Sequence, residues 1–268
     1  SMSTAANKAR MEKWRVQSPD APGFHAVISP EKSECRVVRV FRLNLPRGER
    51  FLLETGDLEM HAVLMSGKAQ LGAHPSIGRA MGRFDSFYLP ARAEAEISAA
   101  GDSVFYIAGA PYENAGEASF RKYDPTLPIG DVHQIHGEGV GRREVMFTLA
   151  PQTPASRLIC GLTWGGNGAW TSWPPHQHEK DLEEVYCYFD MPAPRFGFHV
   201  SYLESGGTMD CVVHPVQSGT MIEAPCGYHP TVASPGTRNA YFWALASFSP
   251  EQRRYDLAIL DPQYAGTK

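Results

Sequence analysis

Glycine and proline interrupt this chain at short intervals, and this punctuation constrains its fold more than any other feature. The 268 residues include 25 glycines and 21 prolines. Between them lie short runs of β-branched and aromatic residues, which favour extended backbone. The clearest runs are 36–43, 61–64, 103–108, 145–149, 157–163, 184–189, 196–202, 211–216, 220–224 and 240–246. Many short strands separated by turn residues predict an all-β sandwich or barrel.

Helical periodicity is scarce, and it predicts only short helices over 4–16 and 250–260. The second of these begins with Pro250, a favourable residue for a first helical turn. The two halves of the chain share a similar order of strands and turns, which suggests duplicated β units. The segment 123–141 is rich in proline and glycine and is the best linker candidate. We therefore expect two domains, residues 1–134 and residues 135–268.

Composition excludes several classes of partner. A net charge of −4 with scattered basic residues predicts neither a nucleic acid nor a membrane as partner. No apolar run approaches the roughly 20 residues that span a bilayer. The cysteines are odd in number and lack a Cys-x-x-Cys spacing, which predicts reduced thiols and a cytoplasmic protein. They are Cys35, Cys160, Cys187, Cys211 and Cys226.

Two stretches of the second half carry residues suited to binding a metal ion. His176 and His178 are two positions apart on an extended segment, so both imidazoles face the same side. In the stretch 225–229, proline and glycine shape a turn that delivers His229. Three imidazoles with a nearby carboxylate suit Zn, Mn, Fe, Ni or Co. A set of three or four protein ligands leaves a position open for a substrate. The combined pattern predicts one divalent transition metal.

The carboxylate that completes this set is Glu183 or Glu184, and strand parity separates them. A strand that points Glu184 inward also points Tyr186 and Tyr188 toward the site. The other parity lines the site with the intervening apolar residues. A polar substrate gains more from tyrosine hydroxyls, so we favour Glu184.

His199 lies on a predicted strand between the two metal motifs, from which it could project into the same barrel. Weaker pocket candidates are Ser172, Trp173, Tyr202 and Arg238. The remaining histidines are interpreted as ordinary core or surface residues: His25, His61, His74, His133, His136 and His214. The first half has neither a His-x-His pair nor a turn like 225–229, which predicts a metal-free structural copy.

These motifs resemble those of the bicupin sugar-acid isomerases, the family that contains 5-deoxy-glucuronate isomerase and 4-deoxy-5-hexosulose-uronate ketol-isomerase. The resemblance extends from about Arg36 to Phe248, with similar motifs at 54–68 in the first half and at 171–178, 182–186 and 225–230 in the second. It implies two cupin domains in tandem, each a double-stranded β-helix (jelly roll), with the metal in the second. It further implies that the ligands are His176, His178, Glu184 and His229.

The resemblance implies a metal-dependent aldose–ketose isomerase of a deoxy-uronic acid, with 5-deoxy-glucuronate isomerase of inositol catabolism as the nearest activity. Two departures bear on the substrate. The loop between His178 and Leu182 is shorter than is usual in that enzyme, and 185–190 and 241–245 are more similar to the hexosulose-uronate branch. Two alternatives remain, an iron-dependent cupin oxygenase and a non-catalytic sugar-acid-binding cupin.

An aldose–ketose isomerase needs a base that moves a proton between adjacent carbons. His199 is the first candidate because an imidazole ordinarily titrates near neutrality. Tyr186, Tyr188 and a solvent molecule at the metal are the others. We expect a small sugar acid as the partner. A homo-oligomer is the default expectation, because exposed edge strands of cupins often pair.

Overall fold

The computed structural model describes residues 3–268, and strands dominate it. The one α-helix of these residues, α1, spans Thr4–Glu12, and the Ser3 side chain caps it by accepting a hydrogen bond from the Ala6 N–H. No helix within residues 3–268 is long and apolar enough to cross a membrane. The predicted all-β fold is confirmed.

The strands of the first half form two antiparallel sheets. One has six strands in the order β11-β8-β5-β10-β3-β2, and the other has four in the order β4-β9-β6-β7. Leu64, Phe87 and Phe105 belong to the buried core of this half. The strand bounds, with β1 of the N-terminal segment, are β1 Arg15–Gln17, β2 Gly23–Ile28, β3 Arg39–Leu45, β4 Arg50–Glu54, β5 Leu58–Ser66, β6 Ala69–Leu71, β7 Ala80–Met81, β8 Ser86–Leu89, β9 Glu94–Ala99, β10 Ser103–Pro111 and β11 Ser119–Arg121.

The second half repeats this arrangement. A seven-stranded sheet in the order β1-β20-β17-β22-β14-β13-β12 accompanies a four-stranded sheet in the order β15-β21-β18-β19, while β16 pairs with β23. Its core is rich in aromatic side chains, including Phe147, Tyr186 and Trp243. The strand bounds are β12 His133–His136, β13 Arg143–Leu149, β14 Leu158–Asn167, β15 Trp170–Thr171, β16 His176–Gln177, β17 Leu182–Tyr188, β18 Gly197–Ser205, β19 Thr208–Val216, β20 Thr220–Ala224, β21 Thr231–Ala233, β22 Arg238–Ser247 and β23 Ile259–Leu260.

A buried apolar layer joins the two halves. Val40 and Tyr106 of the six-stranded sheet belong to the same core cluster as Val185 and Phe242 of the seven-stranded sheet. Strand β1, although N-terminal, extends the seven-stranded sheet by pairing with β20. The division of the chain at residue 134 stays a prediction. Strand β12 lies across that position, inside the predicted linker, and pairs with β13.

Two buried glutamates connect the halves in the same way. Glu183, near the start of β17, accepts hydrogen bonds from the backbone N–H groups of residues 36–38, just before β3. Glu59, near the start of β5, accepts from the N–H groups of residues 156–158, which lead into β14. We call these two glutamates the reciprocal clasp. Each carboxylate satisfies three backbone donors of the opposite half, so the clasp holds the two halves together.

The predicted strands all overlap strands of the structure, but their ends and the predicted helices differ. Strand β3 begins at Arg39 rather than at residue 36, because residues 36–38 donate to Glu183. Helix α1 ends before residue 16, since Arg15 begins β1. The predicted helix over 250–260 is wrong. Pro250–Gln252 form a short 3₁₀ helix, and β23 is extended because it pairs with β16.

Candidate metal centre

Three histidines from two distant stretches meet in the second half. His176 and His178 precede β17 on a segment that β23 holds in an extended form. His229 follows a turn at Gly227, whose φ of +74° favours glycine. The carboxylate of Glu179 accepts a hydrogen bond of 2.7 Å from the Gly227 N–H. One short segment therefore carries two of the histidines and positions the turn that delivers the third.

The three imidazoles approach one another closely. One ring nitrogen from each of His176, His178 and His229 lies within 4.8 Å of the others, and the ring centroids are 4.9 to 6.0 Å apart. His178 and His229 are buried, and His176 is partly buried. Within residues 3–268, this is the one group of three or more His, Cys, Asp or Glu side chains with such spacing.

The two adjacent glutamates of β17 point in opposite directions. The Oε1 atom of Glu184 lies 3.2 Å from His178 Nε2 and 3.6 Å from His229 Nε2. Glu183 instead belongs to the reciprocal clasp and faces the first half. Of the pair, Glu184 is the one beside the histidines.

Backbone carbonyls assign the proton of two imidazoles. His176 Nδ1 lies 3.2 Å from the Pro174 carbonyl oxygen, and His178 Nδ1 lies 3.5 Å from that of Leu182. A carbonyl accepts only, so each Nδ1 carries the hydrogen and donates it. The Nε2 atom of each ring is then an unprotonated lone pair. His178 Nε2 lies 3.2 Å from the carboxyl group of Glu184.

His229 has the same arrangement with side-chain partners. Its Nδ1 lies 3.1 Å from the Tyr186 hydroxyl oxygen, and that hydroxyl donates to Ser172 Oγ at 2.9 Å. His229 Nδ1 is therefore the donor to Tyr186. The buried His229 Nε2 has no hydrogen-bond partner within residues 3–268. A buried lone pair without a partner is unfavourable. The donor set therefore fits a cation, with Tyr186 orienting one ligand.

Burial favours the neutral form of His176 and His229, the form that ligation requires, by lowering the pKa of both. It lowers the pKa of His176 to about 4, with a further contribution from His178. It also lowers the pKa of His229 well below the ordinary value, and the neighbouring histidines add to this effect. Burial raises the pKa of Glu184, an effect that His178 opposes. A bound cation favours the ionised carboxylate.

His176, His178 and Glu184 lie on the wall of a cavity of about 240 Å³. Successive side chains of a strand face opposite sides, so alternate residues of three strands line this cavity. They are Leu182, Glu184 and Tyr186 of β17, Tyr241, Trp243 and Leu245 of β22, and Arg143 and Val145 of β13.

The three residues predicted to handle protons differ in their access to this cavity. Tyr186 lines it, whereas Tyr188 and His199 do not. The Tyr188 hydroxyl lies 2.8 Å from His199 Nδ1, and both side chains are fully buried. Burial lowers the pKa of His199 to about 3, and His214 adds to this shift. The pKa of Tyr186 is raised well above its ordinary value, mainly by burial and then by Glu184.

The weaker pocket candidates divide equally. Ser172 and Trp173 line the cavity. The Tyr202 hydroxyl instead donates to Asp261 at 2.6 Å, and Arg238 donates to a backbone carbonyl at 2.9 Å.

Sequence reasoning missed several parts of the cavity wall. His136, interpreted as an ordinary residue, lines the cavity, and so does Arg143. The alternation of Arg143 with Val145 in a strand pattern was the available signal for the arginine. Residues 254, 255, 258 and 260 complete the wall. They carried no local signal, because their position depends on the pairing of β23 with β16.

The fold and the site together define a class: a tandem all-β protein of the cupin fold with a histidine cluster in its second half. A model of the KduI/IolB family matches residues 14–265. The chain belongs to this family, which confirms the resemblance indicated by its motifs.

Relatives cover most of the chain. The 5-deoxy-glucuronate isomerase of Geobacillus kaustophilus is 29% identical over 245 residues, which are 85% of this chain and 86% of the relative. The enzyme of the same name from Bacillus subtilis strain 168 is 24% identical over 246 residues, which are 85% of this chain and 88% of the relative.

Solved structures show the same fold. An IolB-like protein from Salmonella typhimurium LT2 superposes with a TM-score of 0.78 at 24% identity, over 94% of this chain and 98% of that one. A mutant of Bacillus subtilis oxalate decarboxylase OxdC superposes with a TM-score of 0.59 at 11% identity, over 92% of this chain and 79% of that one.

Proposed function

We propose that this protein is a metal-dependent aldose–ketose isomerase whose substrate is 5-deoxy-glucuronate or a closely similar deoxy-uronic acid. The observation that carries the proposal is the histidine cluster, of which His176 and His178 line a cavity, in a chain that 5-deoxy-glucuronate isomerases match over 85% of its length. The substrate is a small sugar acid.

We infer that His176, His178, Glu184 and His229 hold one divalent transition metal, for which their donor set suits Zn, Mn, Fe, Ni or Co. Glu184 is proposed rather than Glu183 because it lies beside two of the histidines. When bound, the cation supplies a Lewis acid for the carbonyl end of the substrate. These four side chains would hold the cation beside the cavity, because three of them line its wall.

Isomerisation moves a proton from one carbon to its neighbour, and a hydroxyl proton passes between the attached oxygens. We propose Tyr186 as the group that holds a proton at this end, because this residue lines the cavity and its hydroxyl is hydrogen-bonded to Ser172 and His229. We assign Tyr188 and His199 a positioning role behind it. The ring of His199 lies edge-on to that of Tyr186 at 5.1 Å.

The test of this function is isomerisation in D₂O. The purified protein is analysed for metal content and incubated with 5-deoxy-glucuronate while NMR follows the sugar. We expect the ketose product to carry deuterium at the carbon next to its carbonyl. Chelation should abolish the reaction, and adding one of the suitable metals should restore it. An unchanged sugar with every metal would exclude the activity, and oxygen uptake with Fe(II) alone would indicate an oxygenase.

Tyr186→Phe should weaken metal binding about tenfold, since loss of a hydrogen bond to a ligand histidine usually costs 10- to 100-fold in affinity. The variant removes the oxygen that accepts from His229 Nδ1, and Ser172 Oγ at 3.3 Å is the remaining partner. Competition with a chromogenic chelator measures the affinity. Tyr112→Phe, which removes a hydroxyl of the first half, is the matched control. Equal affinities of the two variants would show that Tyr186 does not orient His229.

A further inference from the structure

An arginine of the cavity wall lacks an acidic partner. Arg143 begins β13 and is partly buried, and both it and Val145 line the cavity. Its guanidinium donates to the Gly141 carbonyl oxygen at 3.1 Å. Gly137 leaves room for this side chain, because a Cβ at that position would lie 2.9 Å from Arg143 NH1. The local backbone therefore holds the guanidinium in place.

The remaining donors of Arg143 are free for a ligand. A guanidinium has five N–H donors, and no carboxylate of residues 3–268 lies within 4.0 Å of this one. The only carboxylate on the cavity wall is Glu184, which lies beside the histidines. The other arginine of the wall, Arg254, pairs with Asp256 at 2.7 Å. Arg143 is thus the one unpaired strong cation of the described cavity.

Burial makes this unpaired charge unfavourable in the free protein. It lowers the pKa of Arg143, although a guanidinium remains charged in proteins. An anionic group of a ligand would offset the cost of removing this charge from water. A planar carboxylate suits the guanidinium best, because it can accept two parallel hydrogen bonds from it.

We propose that Arg143 binds the carboxylate of the sugar-acid substrate and thereby directs the opposite, carbonyl end of the sugar to the histidine cluster. This inference rests on the proposed function and adds the determinant of its acid specificity. A uronic acid carries its carboxylate and its carbonyl at opposite ends of a short chain, and the cavity wall has one arginine without an acidic partner and one metal-ligating group. At about 240 Å³, the cavity is smaller than the roughly 300–1,000 Å³ of pockets for drug-sized ligands, so its occupant is small.

The test compares an acid with its neutral counterpart. The wild type, Arg143→Met and Arg143→Lys are assayed with 5-deoxy-glucuronate and with 5-deoxy-glucose, in which CH₂OH replaces the carboxylate. Arg143→Met should lower kcat/KM for the acid about 10- to 100-fold, as expected for lost charge-assisted hydrogen bonds, and should barely change it for the neutral sugar. Arg143→Lys should fall between, because lysine keeps the charge but loses the fork. Arg142→Met, at the exposed neighbouring position, is the matched control.

A binding measurement separates this inference from the isomerase activity. Trp173 and Trp243 line the cavity, so tryptophan fluorescence can follow titration with glucuronate and with glucose. Arg143→Met should weaken glucuronate binding and leave glucose binding unchanged. If no sugar is isomerised but glucuronate binding still depends on Arg143, then Arg143 does bind the carboxylate and the proposed isomerase function is wrong. If isomerisation occurs and Arg143→Met affects acid and neutral sugars equally, then Arg143 does not bind the carboxylate. Should the methionine variant not fold, the lysine variant decides by the same comparison.

Discussion

Replacing Glu183 by alanine will lower the melting temperature of the protein by roughly 10 °C. Glu183 is only 1% exposed and accepts hydrogen bonds from three consecutive backbone N–H groups, those of residues 36–38. Alanine leaves these donors without their acceptor at the boundary of the two halves. A hydrogen bond to a charged group contributes about 1.5–3 kcal/mol to the free energy of unfolding, and Glu183 accepts three of them. Thermal unfolding followed by circular dichroism measures the loss.

Matched variants separate the clasp from a general effect of losing a carboxylate. Glu59→Ala removes the other member of the clasp and should lower the melting temperature by a similar amount. Glu94→Ala removes an exposed carboxylate of the first half and should change it by about 1 °C. Because Glu183 faces away from the histidines, its alanine variant should still bind metal at low temperature. If Glu183→Ala and Glu94→Ala have the same melting temperature, the clasp does not hold the halves together.

His178→Ala will abolish metal loading and turnover while leaving the fold intact. The variant removes a buried nitrogen that lies 3.2 Å from Glu184 Oε1, in the centre of the proposed ligand set. Loss of a Lewis acid worth several kcal/mol corresponds to a rate decrease of at least about a thousandfold. Elemental analysis of the purified variant and the NMR assay measure the two effects, and far-ultraviolet circular dichroism checks the fold.

The control for this variant is His25→Ala, which removes a partly exposed imidazole of the first half. It should keep the metal content and the rate of the wild type. Near wild-type turnover by His178→Ala would mean that the reaction does not use this histidine cluster. A variant that keeps its metal but loses turnover would remove His178 from the ligand set.

Local sequence patterns predicted the fold and the residues of the cluster to a large extent. Turn residues between β-branched runs marked the strands, because strand propensity and turn chemistry are both local properties. The His176-x-His178 pair and the turn before His229 each contain their own geometry, and the structure places them together. Strand parity favoured Glu184, and the side chain of Glu184 lies beside His178.

The features that the sequence did not reveal all depend on contacts between distant segments. The helical pattern over 250–260 was overridden because β23 pairs with β16 and because Arg253 donates to the Leu158 carbonyl oxygen at 2.7 Å. Residues 36–38 looked like the start of a strand, but their N–H groups bind Glu183. The role of Arg143 in the cavity wall likewise follows from which barrel face β13 presents, which no single segment encodes.

Glu183 and Glu184, which are neighbours on β17, have different roles. Glu183 accepts hydrogen bonds from the backbone of the first half, whereas Glu184 lies beside His178, because the two side chains face opposite sides of one strand. In the first half, Glu59 accepts hydrogen bonds from the backbone of the second half, while its neighbour Met60 lies in the apolar core. The residue beside each glutamate of the clasp can therefore differ in chemistry between the halves while the clasp itself is the same in both.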